Sequence, residues 1–159
     1  MEPSDELISF KFAGKRIAFV GNPGDGIYWY EALETQGANV GMHAQLYGMT
    51  GAEAQAMGEK IAVSVPPPDA IVIFGKCTQS RNGAPADNPA IILAVRLQEK
   101  GIKIPVLAIG ESIDKKNQLA MQKHGVVYKP LSDGRSEVFT KLAHMIAGHG
   151  KVVAVNGVG

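Results

Sequence analysis

The chain predicts an α/β protein in which five parallel strands, ordered 2-1-3-4-5, are sandwiched between helices as a three-layer (βα)5 unit. Three observations predict it. Strand-length apolar runs and helix-length segments alternate five times along the 159 residues. Four of the five runs, "KRIAFVG", "DAIVIFG", "IPVLAIG" and "VVYK", are nearly continuous in apolar residues, as strands covered on both faces must be. Right-handed crossovers between such strands then leave few topologies, and place functional loops at the strand C-termini around strands 1 and 3.

The first strand is predicted over residues 15–21. The loop "NPGDG" follows, then a helix over 27–36 that Gly37 stops, because φ > 0 is common at that position. A weaker second strand covers 38–44. Thr50 and Glu53 form T-x-x-E, a capping-box signature, ahead of a helix from 51 to about 63. Pro66, Pro67 and Pro68 end that unit and lead into the third strand, over 69–75. The loop over 76–87 is long for an α/β connection. Asn88 as N-cap with Pro89 at the first helical position opens a helix that ends at Gly101. The fourth strand spans 104–110. Ser112 is expected to cap the next helix and Gly125 to close it. "VVYK" is the fifth strand, and an amphipathic helix over about 134–147 carries Val138, Leu142, Met145 and Ile146 on one face. Residues 1–14 read as an N-terminal extension and 15–148 as the domain. Residues 149–159 read as a tail that is disordered, an edge strand or a partner contact.

Composition narrows the function classes. Hydrophobic residues make up 45% and charged residues 19%, which suits a soluble globular domain rather than a disordered chain. A formal net charge of +1 without a dense Lys/Arg run points away from direct nucleic-acid binding. The apolar runs fall far short of the ~20 residues a membrane-spanning helix needs. The acidic, polar start "MEPSDELISF" is unlike a secretory signal, and the one cysteine excludes an internal disulfide. A cytoplasmic protein is the expectation.

Each candidate for chemistry has a plainer alternative. "GNPGDG" places a glycine-rich loop before a helix, where backbone N–H groups bind phosphate. Its spacing matches neither established nucleotide fingerprint, and Asp25 is expected to cap the helix, putting a carboxylate where the phosphate would go. Cys77 has Lys76 beside it and Arg81 in the same loop, but lacks the spacing of a phosphatase loop and reads as a bystander. His43, His124, His144 and His149 form no metal-spaced pair. Tyr28, Trp29 and Tyr30 point in different directions around a helix. Lys129 ends the fifth strand and would set a positive charge over the strand-3 site. No metal and no cofactor is predicted.

Together these features resemble a response-regulator receiver domain over residues 15–148. The resemblance rests on the element order, on "PDAIVIF" and "IPVLAIG", and on "YKPLS" before the last helix. It implies that Lys129 corresponds to the lysine that contacts an aspartyl phosphate, and that the Lys129–Pro130 bond is cis. It implies also an acidic pair at the end of strand 1, a phosphoacceptor aspartate at the end of strand 3 and a Ser or Thr at the end of strand 4. The matching positions are Gly21 with Asn22, Phe74, and Gly110. Phosphoryl transfer needs a nucleophile and a metal, so the chain resembles an atypical, pseudo-receiver member that signals through protein contacts. The pseudo-active site would comprise Asn22, Asp25, Phe74, Lys76, Gly110, Lys129 and Pro130, with Phe74 plugging the pocket. A partner or a second copy would dock on Lys115, Gln118, Gln122, Tyr128 and Lys141. The alternative is a flavodoxin-like protein that binds a phosphate-bearing ligand with loops 21–26 and 76–87 and the cations Lys76, Arg81 and Lys129.

Overall fold

The computed structural model describes residues 11–45, 47–111 and 113–158, with side chains described through Gly148. Five parallel strands form one sheet in the order β2-β1-β3-β4-β5, as the apolar runs predict. They are β1 (Arg16–Gly21), β2 (Asn39–Ala44), β3 (Ala70–Phe74), β4 (Val106–Gly110) and β5 (Val126–Pro130). The helices are α1 (Pro23–Thr35), α2 (Gly51–Ala62), α3 (Pro89–Glu99), α4 (Lys115–Lys123) and α5 (Gly134–Val158).

The alternation of side chains along each strand divides the core in two. Ile17, Phe19, Val72, Phe74, Leu107 and Ile109 pack against Trp29 and Leu33 of α1 and Val138, Phe139 and Leu142 of α5. Ala18, Val20, Ile71, Ile73, Val106 and Ala108 pack under Ile61 of α2, Leu93 and Leu97 of α3 and Met121 of α4. Each fully buried Leu, Ile or Phe contributes about 1.5–3 kcal/mol, so both faces are needed to hold the central strands. Gly58 lets α2 approach α3 closely, since a Cβ there would stand 3.0 Å from Arg96 Cβ. Arg96 then crosses to Glu59, with Nε donating to Oε1 at 3.0 Å.

The local caps follow the sequence in two places and depart from it in two. Thr50 and Glu53 form the expected capping box, at 3.1 and 2.9 Å. Asn88 caps α3 with Pro89 in the first turn. The segment read as the loop "NPGDG" is instead the first turn of α1, and its cap is Asn22, not Asp25. Pro23, placed at N1 with φ already helical, fixes where the helix begins. Ser112, the expected cap of α4, lies outside the described residues. Asp114 caps that helix, its carboxylate accepting from Asn117 N–H at 2.8 Å. The last helix continues past its expected end near Ala147 to Val158. Its glycines each cost about 1 kcal/mol in a helix but no proline blocks it.

Candidate functional site

The C-terminal ends of β1, β3, β4 and β5 meet at one rim of the sheet, and Phe74 sits in the middle of it. Its side chain is 4% exposed. The ring stacks on Phe19, centroids 5.6 Å apart and planes 28° apart, and Trp29 closes on it at 5.8 Å. Trp29 meets Phe139 edge-on at 5.7 Å, and Phe139 meets Phe12 edge-on at 5.9 Å. Such pairs contribute about 0.5–1.5 kcal/mol each beyond area burial. Phe74 thus faces into the core between the sheet and helices α1 and α5, where it ties β3 to β1, α1 and, through Trp29, α5.

The neighbouring strand ends have no room for longer side chains. A Cβ on Gly21 would stand 3.0 Å from Phe74 Cβ and 3.1 Å from its carbonyl oxygen. A Cβ on Gly110 would overlap Thr78 Oγ1. Thr78 is buried, and its hydroxyl donates to the Gly75 carbonyl at 2.6 Å. Gly26 is equally constrained, by the Phe19 ring at 2.9 Å.

At the start of α1, Asn22 Oδ1 accepts from the N–H groups of Gly24 and Asp25 at 2.7 and 3.3 Å. A phosphate at a helix N-terminus relies on such N–H groups, and Pro23 contributes none. Asp25 is exposed in the first turn. The Asn22-Pro23 pair repeats the Asn88-Pro89 signature that correctly marks α3, so the sequence held the signal for this helix start.

Lys129 lies on the same face of the sheet as Phe74, because Phe74 pairs with Ile109 and Ile109 with Lys129. It is no free cation over the site. Its Nζ stands 3.0 Å from Asp133 Oδ2 and 3.6 Å from Glu137 Oε1. The hydrogen bond to Asp133 is the main cause of an upward shift in its pKa. Among the described residues the cis peptide bond is Val65–Pro66, and Lys129–Pro130 is trans. Lys76 and Arg81 are exposed. Glu53 sits below the usual carboxylate pKa, chiefly through its capping-box hydrogen bonds with Thr50, and the Arg81 charge adds to this. The Arg81 charge is thus felt at the start of α2, while Lys129 is paired with Asp133 and Glu137.

The long loop after β3 is fastened by a buried amide network. Asn88 Nδ2 donates to the Thr78 carbonyl at 2.9 Å and to Asn117 Oδ1 at 3.0 Å. Asn117 Nδ2 donates to the Gly83 carbonyl at 3.0 Å and to Asp114 Oδ1 at 2.7 Å. Both asparagines are buried, and Asn88 Oδ1 accepts from Ala90 and Ile91 N–H. Buried polar groups need such partners, and here both amides are spent on holding the loop. Asn117, which sequence reasoning missed, meets a residue 29 positions away.

The expected partner face falls into two sets. Gln118 donates to the Ile113 carbonyl at 2.7 Å and Tyr128 Oη to the Gly110 carbonyl at 3.2 Å, so both brace the segment after β4. Lys115, Gln122 and Lys141 are exposed. Leu119, which sequence reasoning missed, is 54% exposed. It lies four residues after Lys115 and three before Gln122, hence on the same outward stripe of α4. Cys77 is buried, and burial pushes its thiol pKa up to about 11, which keeps it a poor nucleophile. No group of three or more His, Cys, Asp or Glu side chains suited to a metal occurs among the described residues. None of the described helices is long and apolar enough to cross a membrane.

No protein-family model and no curated protein sequence matches the chain. Solved structures do. The receiver domain of a Francisella response regulator is similar over 86% of this chain and 99% of its own, at 17% identity and a TM-score of 0.58. A response-regulator receiver protein from Pseudoalteromonas atlantica matches at 12% identity and a TM-score of 0.61, over 84% of this chain and 98% of its own. A mutant receiver domain of the histidine kinase CKI1 from Arabidopsis thaliana matches at 16% and 0.61, over 92% of this chain and 95% of its own. The chain has the flavodoxin-like, receiver-like fold.

Proposed function

We propose that this chain is a receiver-like signalling module that takes up no phosphate, catalyses no reaction and acts by docking a protein partner, in the cytoplasm. The module proper would be residues 15–148, with Phe12 of the 1–14 extension packed onto it and the last helix running on into the 149–159 tail. The observation that carries this reading is the packing at the end of β3. Phe74 is stacked on Phe19 with Trp29 tilted against it, and a Cβ on the flanking Gly21 or Gly110 would crowd Phe74 or Thr78, where the resemblance implies acid and hydroxyl side chains. No carboxylate stands there to act as a nucleophile, and the Phe74 ring fills the space.

The docking surface would be the outward stripe of α4 with the β5 edge and α5: Lys115, Leu119, Gln122 and Lys141, braced by Gln118 and Tyr128. A half-exposed leucine ringed by polar residues has the composition of a small interface centre. Binding of a phosphate-bearing ligand at 21–26 and 76–87 has less support, because Asn22 occupies N–H groups of the α1 start and Lys129 is neutralised by Asp133 and Glu137.

The test is incubation of the purified chain with acetyl phosphate and magnesium, read by intact mass. An unchanged mass is expected; gain of one phosphoryl group on an acid-stable, base-labile linkage overturns the reading. Saturable thermal stabilisation by a nucleotide or flavin would favour the ligand-binding alternative instead.

A further inference from the structure

The two edges of the sheet differ in a way that points to a second interaction surface. Among the described residues β2 pairs only with β1 and β5 only with β4. Open strand edges are usually guarded by lysine, proline or a bulge. The β5 edge carries Lys129 and Pro130. The β2 edge, "NVGMHA", carries no charged residue and no proline.

The hydrogen bonds of β2 show which of its groups are open. Asn39 N–H donates to the Lys15 carbonyl at 2.8 Å and Gln45 N–H to the Gly21 carbonyl at 2.9 Å. The strand alternates, so Asn39, Gly41, His43 and Gln45 face β1 with their backbone groups. Val40, Met42 and Ala44 therefore turn their N–H and C=O groups outward. The side chains of Asn39 and His43, with Gly41 between them, line one surface with Ile61 of α2, opposite to Val40 and Met42, which join the α1/α5 core. Gly41 stands in open space there, with nothing within 4 Å of a Cβ.

We propose that β2 pairs antiparallel with the β2 strand of a second copy, in a register centred on Gly41, to make a continuous ten-stranded sheet across a two-fold axis. This register sets Val40 opposite Met42 of the second copy as a hydrogen-bonded pair, which uses the groups that point outward. It sets Gly41 opposite its own equivalent as a close, non-hydrogen-bonded pair, where Cα atoms approach to about 4.5 Å. Asn39 then faces His43, polar against polar, while Val40 and Met42 match apolar against apolar. A second copy suits the edge because an uncharged strand meets its own image without repulsion. The pairing is much smaller than the roughly 1,600 Å² of a standard interface, so the dimer is weak and concentration-dependent. It lies at the opposite edge of the sheet from the proposed partner face, which stays free.

Sedimentation of the full chain over a wide concentration range tests this. The wild type is expected to shift from monomer to dimer, and Gly41→Val to dimerise at least as well. Gly41→Glu and Gly41→Lys should each raise the apparent Kd about fivefold or more, because each sets like charges face to face. An equimolar mixture of the two should restore association. Unchanged melting temperatures would show that the open site tolerates each side chain. A monomeric wild type at every concentration, charged variants that dimerise like the wild type, or a mixture that fails to recover overturns the inference. A dimer broken by Leu119→Glu and untouched by Gly41→Glu overturns it too, by placing self-association on α4.

Discussion

Phe74 and Phe19 lie ring on ring at the ends of β3 and β1, 5.6 Å between centroids. This stack sets the shape of the rim around it. A Cβ on Gly26 would press to 2.9 Å from the Phe19 ring, and one on Gly21 to 3.0 Å from Phe74 Cβ. The strand ends are thereby built as core.

Phe74→Asp, which puts back the carboxylate the resemblance implies, is expected to cost stability and to create no phosphorylatable site. Emptying a buried aromatic position costs about 3–5 kcal/mol, and an unpaired carboxylate in apolar surroundings adds to that. Burial raises the folded-state pKa of the new acid above its unfolded value of about 3.9. The folded variant therefore holds its proton more tightly, and its deficit should be smallest below pH 4 and grow as pH rises. Urea unfolding at pH 4 and pH 7 checks both size and direction. A variant as stable as the wild type at pH 7 would contradict the packing argument.

Gly110→Ala should destabilise by about 1–3 kcal/mol, the usual range for forcing an extra methyl into a packed site. The obstacle is the Thr78 hydroxyl. Thr78→Ala loses the hydrogen bond to Gly75 but makes room, so the double variant should be less destabilised than the sum of the singles. Additive effects in that cycle would show that Thr78 is not what excludes a side chain at Gly110.

Asn88→Ala should loosen the loop after β3 and fray the start of α3 together. It removes an N-cap worth about 0.5–2 kcal/mol and strands the Thr78 carbonyl and Asn117 Oδ1. Asn117→Ala should release the loop with little effect on α3. Hydrogen exchange separates the two: faster exchange over 76–88 in both variants, and over the first turn of α3 only in Asn88→Ala.

Acid should unfold the protein in part through three carboxylates. Asp114 is held below its ordinary pKa by hydrogen bonds from Asn117, Glu59 by Arg96 and Glu53 by Thr50. A depressed folded-state pKa gives stability that is complete above the unfolded values of about 4 and is lost as pH falls through the lower folded values. The urea midpoint should therefore drop between about pH 5 and pH 2. Arg96→Met should flatten part of that drop, since Glu59 then loses its main partner; an identical slope would remove Glu59 from the explanation.

Much of this fold was written locally. Continuous apolar runs predict buried parallel strands because both faces of the sheet are covered. Thr50 with Glu53, and Asn88 with Pro89, predict helix starts because capping joins residues two or three apart. Asn22 with Pro23 carried the same signal, obscured by the two glycines that follow inside the helix. The pairing of Lys129 with Asp133 was also legible as charges four apart across a turn.

The sequence by itself determined the order of elements, the sheet topology and the phenylalanine that ends β3, because apolar runs, short-range spacing and the crossover rule set these directly. Tertiary structure alone decided that Phe74 stacks on Phe19, that Thr78 fills the space beside Gly110, and that Asn88 and Asn117 share a buried hydrogen bond. It also decided that, among the described residues, β2 has a strand neighbour on one side only. Those features depend on which distant side chains the folded sheet brings within a few ångströms, and no local period or spacing encodes that.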